Sequence, residues 1–261
     1  MASLGERLSA GETVFTAWSG IPDAVTVEAV AGLGFDAVTL DMQHGGHHED
    51  SVLRGLLPVR AASKHALVRI PVGRFDMASR ALDFGAESVI APMVNTVDDA
   101  IRFAAAMKYP PVGERSWGPH MAMARIGRTD PKTWLAGSNA DTLALAMIET
   151  REAYELADEI IAVDGIDGIF VGPSDFSIAL FRGATIDPVS EDMMEAIATI
   201  ARKANAAGKH VGIYVPDARL VGRFHAMGYR LFAIGSEHTY MAEGADNLLA
   251  TARKSLQSAS T

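Results

Sequence analysis

Residues 31–40 read AGLGFDAVTL: a helix-period segment stops at Gly34, two residues follow, and an apolar, β-branched run begins. The same phrase recurs around Gly85 (DFGAESVIA, 83–91), Gly165 (VDGIDGIFV, 163–171), Gly208 (AAGKHVGIYV, 206–215) and Gly228 (AMGYRLFAIG, 226–235). Glycine suits the left-handed residue that closes a helix, so each instance predicts a helix, a glycine stop and a strand. The runs are short and apolar without strict alternation, as expected of a parallel sheet covered by helices.

Working outward, the runs TVFTAW (13–18), ALVRIPV (66–72) and TLALAMIE (142–149) bring the strand candidates to eight, near 14, 37, 68, 90, 145, 169, 212 and 233. Helical segments at 22–33, 50–63, 76–84, 97–107, 151–163, 189–207 and 217–227 fall between most of them. Eight βα units in about 250 residues is the size and order of an α/β single (β/α)₈ barrel. An open doubly wound sheet is the alternative, weakened because no G-x-G-x-x-G follows the first strand. The expectation is one barrel domain over 1–261. The irregular interval 109–141, with four prolines and two of the three tryptophans, reads as an elaborated connection from the fourth strand to the fifth helix rather than a linker, because apolar residues continue through it.

Composition narrows the function. With 23 basic and 32 acidic residues the net charge is −9, and no Lys/Arg-rich stretch interleaves with aromatics, so neither nucleic acid nor an anionic membrane is an expected partner. The absence of cysteine removes thiolate nucleophiles and Cys-ligated zinc and fits a reducing compartment. The N-terminus lacks a continuous apolar core and nowhere do 18 apolar residues run together, so a cytoplasmic protein is expected.

Chemistry in such a barrel sits at the carboxyl ends of the strands. Strand one ends at Trp18; strand two in Asp41, Gln43 and His44; strand three carries Arg69; strand five ends at Glu149; strand six runs into Gly172, Pro173, Ser174 and Asp175; strand eight ends at Ser236 and Glu237. A carboxylate closing an apolar run is costly unless solvated, paired or bound to a cation. Asp175 either caps the helix after it or binds a metal, and Glu149 at the adjacent strand end favours the metal. Two oxygen ligands suit a hard divalent ion, Mg²⁺ or Mn²⁺, with Co²⁺ as a third candidate. Backbone amides of the GPSD turn would hold a carboxylate beside that ion, which together describe a site for a 2-oxo acid. Arg69 is either the structural partner of a barrel carboxylate or an electrophile aimed at developing negative charge.

The stretch LDMQHGGHHED (40–50) holds three histidines but neither H-E-x-x-H nor a helical i, i+4 pair, which argues against zinc. His44, nearest the strand end, is placed as a general base; His47, His48, Glu49 and Asp50 read as loop and helix start. All six lysines (Lys64, Lys108, Lys132, Lys203, Lys209, Lys254) map to helix ends, pre-strand turns or the 109–141 segment, away from the mouth. Carbanion chemistry here would therefore rest on a metal rather than a Schiff base.

The ordered motifs LDMQHG, VRIP, APMVNT, KYPPVGERSWG, IET and GIFVGPSD resemble the metal-dependent class II pyruvate aldolases of the 4-hydroxy-2-oxoheptanedioate and 2-keto-3-deoxyglucarate aldolase family, including its bacterial hydroxy-ketoacid aldolases. The likeness runs through nearly the whole chain. It implies that Glu149 and Asp175 bind the metal, His44 is the base, and Arg69 stabilises a pyruvate enolate that adds to an aldehyde. It also implies that Asp83, otherwise an ordinary surface helix residue, hydrogen-bonds His44, and that the chain forms a hexamer with 238–257 in an interface. Two departures bear on donor choice: Met147 stands where many relatives have Gln, and Gln43 where several have Glu. Trp18 and the 109–141 segment are expected to shape the aldehyde pocket. Rival readings are a CoA-ester lyase of related barrel type, for which no nucleotide site is visible, and a non-catalytic metabolite-binding barrel.

Overall fold

The computed structural model describes residues 2–258. Its eight strands, β1 (Val14–Ser19), β2 (Ala37–Asp41), β3 (His65–Arg69), β4 (Ser88–Ala91), β5 (Leu143–Ile148), β6 (Gly168–Val171), β7 (His210–Val215) and β8 (Leu231–Ser236), pair in chain order, and β8 closes on β1. Every pairing is parallel. The eight expected strands are thus all present, in a (β/α)₈ barrel.

The helices on the outside are α2 (Ala24–Ala31), α3 (Glu49–Ala61), α4 (Phe75–Phe84), α5 (Val97–Met107), α8 (Arg151–Glu155), α9 (Ala157–Ala162), α10 (Pro173–Leu180), α11 (Glu191–Ala206) and α12 (Val221–Ala226). A short α1 (Leu4–Ser9) closes the bottom, where Leu4 and Leu8 join the barrel interior. The long α13 (Glu237–Ser258) ends the described chain. Local chemistry explains several starts: Thr96 caps α5 in a reciprocal capping box with Asp99, and Ser190 caps α11. Of the five predicted glycine stops, those at 85, 165, 208 and 228 have positive φ; Gly34 does not, because α2 has already ended at a right-handed Gly32.

Strand side chains alternate between two apolar layers. Outward residues such as Val38, Leu40, Val68 and Ile169 pack under the helices, while inward ones such as Val14, Leu67, Leu145, Phe170 and Leu231 fill the barrel. The strands carry apolar residues on both faces, so their periodicity is faint. Gly212 makes room for the interior: a Cβ there would lie 2.7 Å from the Phe170 ring.

The 109–141 segment departs from expectation. It follows α5 and leads into β5, so it lies at the amino ends of the strands, and its helices α6 (His120–Ile126) and α7 (Pro131–Asp141) form a small apolar cluster through Ala122, Met123 and Trp134. None of its residues lines the mouth cavity, so within the chain it does not shape an aldehyde pocket. Past its first turn, where Tyr240 packs on the barrel, α13 leaves apolar residues uncovered: Met241 and Leu248 are 56% and 73% exposed.

Candidate active site

The last inward residues of the first three strands are Trp18, Asp41 and Arg69, and the β2–β3 register sets Asp41 directly opposite Arg69. The guanidinium grips the carboxylate in a fork, Nε to Oδ1 at 2.8 Å and Nη2 to Oδ2 at 2.6 Å. Trp18 Nε1 donates to Oδ2 at 3.1 Å, and the Arg69 Cζ stands 4.9 Å from the Trp18 ring centroid. The amides of Gln43 and Gly45 donate to the same carboxylate at 3.0 Å. Burial alone would raise the Asp41 carboxyl, but Arg69 and the N–H donors outweigh it and hold it below the usual range. Arg69 is therefore the structural partner of a barrel carboxylate. Its Nη1 has no partner among the described residues and is left for the cavity that Arg69 lines.

Glu149 lies one residue beyond β5 and is 1% exposed. Oε1 accepts the Met93 N–H at 2.7 Å, delivered by a backbone held at φ +53°, a left-handed conformation uncommon for a side-chain-bearing residue. Oε2 is buried with no partner. Burial pushes the Glu149 carboxyl up to about 7; the Met93 amide opposes this and the neighbouring charge of Asp175 adds to it. Gly172 leaves room for this carboxylate: a Cβ there would stand 2.5 Å from Oε2 and displace it. Gly172 itself is the N-cap of α10, so Asp175 in the first turn does not cap the helix. The amides of Ser174 and Asp175 have no acceptor among the described residues, as the anion-binding reading of this turn requires.

These groups line one cavity of about 440 Å³ at the carboxyl ends of the strands, together with Trp18, His44, Met147, Pro173 and Tyr214. Two candidates are not part of it. Gln43 does not reach the cavity, and its Oε1 is buried without a partner. Asp83, near the end of α4, is held by Arg115 Nη2 at 2.7 Å at the opposite end of the barrel, so the implied Asp83–His44 hydrogen bond is absent within the chain. His44 is exposed in the mouth, whereas His47, read as a loop residue, is 4% exposed and bonded through both ring nitrogens. Sequence reasoning missed Tyr214 and His238, which also line the cavity. Tyr214 shares the inward face with Gly212, two residues earlier, and counting by twos from that position would have found it.

Among the described residues no three or more His, Asp or Glu side chains cluster to enclose a metal. Glu149 and Asp175 offer hard oxygens on adjacent strand ends, and the orphaned Oε2 supplies the unmet demand for positive charge. That fits an ion that takes one or two carboxylates and leaves its other positions to water and substrate.

A protein-family model described as HpcH/HpaI aldolase/citrate lyase matches residues 15–243. The chain is 35% identical over 243 residues to a hydroxypyruvate/pyruvate aldolase of Rhizorhabdus wittichii, covering 93% of this chain and 95% of that protein. It is 33% identical over 257 residues to a 4-hydroxy-2-oxo-heptane-1,7-dioate aldolase of Salmonella dublin, covering 98% and 97% respectively. A solved HpcH/HpaI aldolase/citrate lyase family protein from Burkholderia cenocepacia superposes with a TM-score of 0.84 at 26% identity, over 96% of this chain and 98% of that one.

Proposed function

The chain belongs to the HpcH/HpaI aldolase/citrate lyase family, and from that premise we propose that it is a divalent-metal-dependent aldolase that cleaves and forms 4-hydroxy-2-oxo acids. The observation that carries the metal dependence is the buried, unpartnered Oε2 of Glu149 beside Asp175. These two carboxylates would hold Mg²⁺ or Mn²⁺, which when bound supplies Lewis-acid polarisation of the 2-oxo acid's carbonyl.

The chain's own groups do the rest. The free amides of Ser174 and Asp175 receive the substrate carboxylate. Arg69, locked by its fork to Asp41, keeps Nη1 for the negative charge that develops on the carbonyl oxygen as the carbon–carbon bond breaks. In cleavage His44 takes the proton of the 4-hydroxyl, the aldehyde departs, and a proton returned to C3 gives pyruvate or a related 2-oxo acid. In synthesis His44 removes the C3 proton instead. Trp18, Phe170 and Met147 form apolar wall around the donor. Met147, 2% exposed, brings no hydrogen-bond donor to it. The reading extends to a homo-oligomer, supported by the exposed apolar residues of α13, and to a cytoplasmic enzyme; among the described residues no helix is long and apolar enough to cross a membrane.

The test is proton NMR of pyruvate, then hydroxypyruvate, in D₂O with the enzyme. Exchange at C3 that disappears with chelator and returns with Mg²⁺ or Mn²⁺ supports the proposal. Exchange that persists without metal, or none with either donor under any metal, counts against it.

A further inference from the structure

One buried polar cluster takes no part in this chemistry. Glu237, the first residue of α13, is 2% exposed, and its carboxylate accepts from Ser19 Oγ and from the Gly20 amide at 2.9 Å. Ser19 Oγ lies 3.0 Å from His47 Nε2, and His47 Nδ1 lies 3.1 Å from Ser51 Oγ in the first turn of α3. A carboxylate only accepts, so the single Ser19 proton is committed to Glu237 and His47 Nε2–H must donate to Ser19. Burial disfavours a second ring proton, so His47 carries its one proton on Nε2, and the Ser51 hydroxyl, which also stands 2.9 Å from His48 O, gives its proton to Nδ1.

The chain of bonds ties the last helix to the loops that follow β1 and β2. Those loops touch backbone to backbone: the Gly46 amide donates to Gly20 O at 2.7 Å, and a Cβ on Gly45 would stand 2.8 Å from Gly20 Cα. His44 hangs from the second loop, between the Asp41 anchor on one side and this contact on the other. Its own ring is exposed in the mouth, so its placement is set through the backbone.

We infer that Glu237, Ser19 and His47 form a positioning relay that sets His44, and through it the proton-transfer step, from the first turn of the last helix. This rests on the aldolase reading above. A base must sit within hydrogen-bond reach of its proton, and a shift of about 1 Å can cost on the order of 100-fold in rate. The first turn of α13 is firmly seated: the Tyr240 hydroxyl donates to Ile234 O, and its ring packs on Phe35 at 5.4 Å.

The experiment compares wild type, Ser19→Ala, Glu237→Gln and an exposed control, Val25→Ala, by donor deuteration kinetics, thermal unfolding and NMR of ¹⁵N-labelled histidine side chains. Ser19→Ala is expected to lower the deuteration kcat by roughly 10- to 100-fold with the donor KM within about twofold. Its His44 signals should move, while its thermal midpoint stays near that of the control. In Glu237→Gln the amide oxygen takes the Gly20 N–H and the amide nitrogen donates to Ser19, whose proton then turns to His47. The His47 signals should accordingly switch from the Nε2–H to the Nδ1–H pattern, a change that simple packing would not produce. Wild-type kcat and His44 signals in Ser19→Ala overturn the relay, as does a rate loss that follows unfolding with His44 unmoved. If the wild type itself exchanges neither donor, the aldolase reading fails, and the His44 signals of Ser19→Ala still decide the relay.

Discussion

The two ends of the barrel bury charge in opposite ways. At the amino ends of the strands Lys108, 2% exposed, gives its ammonium to three acceptors: Asn139 O at 2.7 Å, Thr142 O at 2.6 Å and Asp167 Oδ2 at 2.6 Å. Beside it Glu87 is shared between Arg60 and His65, and Asp83 is held by Arg115. At the carboxyl ends Asp41 is saturated in the same manner, yet Glu149, which lines the same cavity, has an oxygen bonded to nothing. Closed networks offset their desolvation and hold structure. An open one keeps its electrostatic demand for a ligand. The position of the lysines carries the same lesson, since the buried Lys108 is at the structural end and its donors are all used, leaving it unsuited to form a Schiff base.

The comparison breaks most visibly at its open end. Glu149→Gln is expected to lower aldol cleavage by about three orders of magnitude or more, while the metal-stripped protein keeps its thermal midpoint; a coupled assay and a melting curve read both. Arg69→Lys should follow with a loss of roughly 100-fold in kcat/KM, because an ammonium cannot fork onto Asp41 and still face the substrate.

At the closed end the effects are on stability. Lys108→Met leaves Asp167 with only the Ala144 N–H and leaves two carbonyls without their donor, and should cost about 3 kcal/mol in denaturant unfolding with kcat unchanged; a loss of kcat without a loss of stability would erase the distinction between the ends. A smaller effect comes from His65, which is fully buried with Nε2 unpartnered. Burial, assisted by Arg7 and Arg60, pushes its imidazole down to about 4 against the opposing charges of Asp36 and Glu12, and a proton on Nε2 would have nothing to bond. The unfolded chain takes up that proton near pH 6.5 and the folded one does not. Stability is then complete above that pH and declines as pH falls towards 4. Unfolding free energies at pH 7 and pH 5 should differ by about 2 kcal/mol from this group, and His65→Gln should remove that share.

The barrel was legible because helix-stop glycines and apolar runs repeat along the chain, and the candidate site because carboxylates follow apolar strands. Asp175 and Glu149 stand out against apolar neighbours on either side. What the sequence did not show is which partners the fold supplies. Asp41 and Arg69 are 28 residues apart and meet only through strand register. Asp83 lies on α4 near the structural end, a placement that its own neighbours in the chain do not betray. Read as a connection from the fourth strand to the helix after it, the 109–141 segment would stand at the mouth, whereas its position between α5 and β5 puts it at the other end. His47 stands among glycines and charged residues that read as a solvated loop, and the partner that holds its Nε2, Ser19, is 28 residues away in the chain.

Glu149 Oε2 is buried with no partner, and titration calorimetry of Mn²⁺ into metal-stripped protein measures its demand for a cation directly. Wild type should bind one ion per chain at the mouth, and Glu149→Gln and Asp175→Asn should each lose that binding while remaining folded. Equal Mn²⁺ affinity in wild type and both variants would contradict the account.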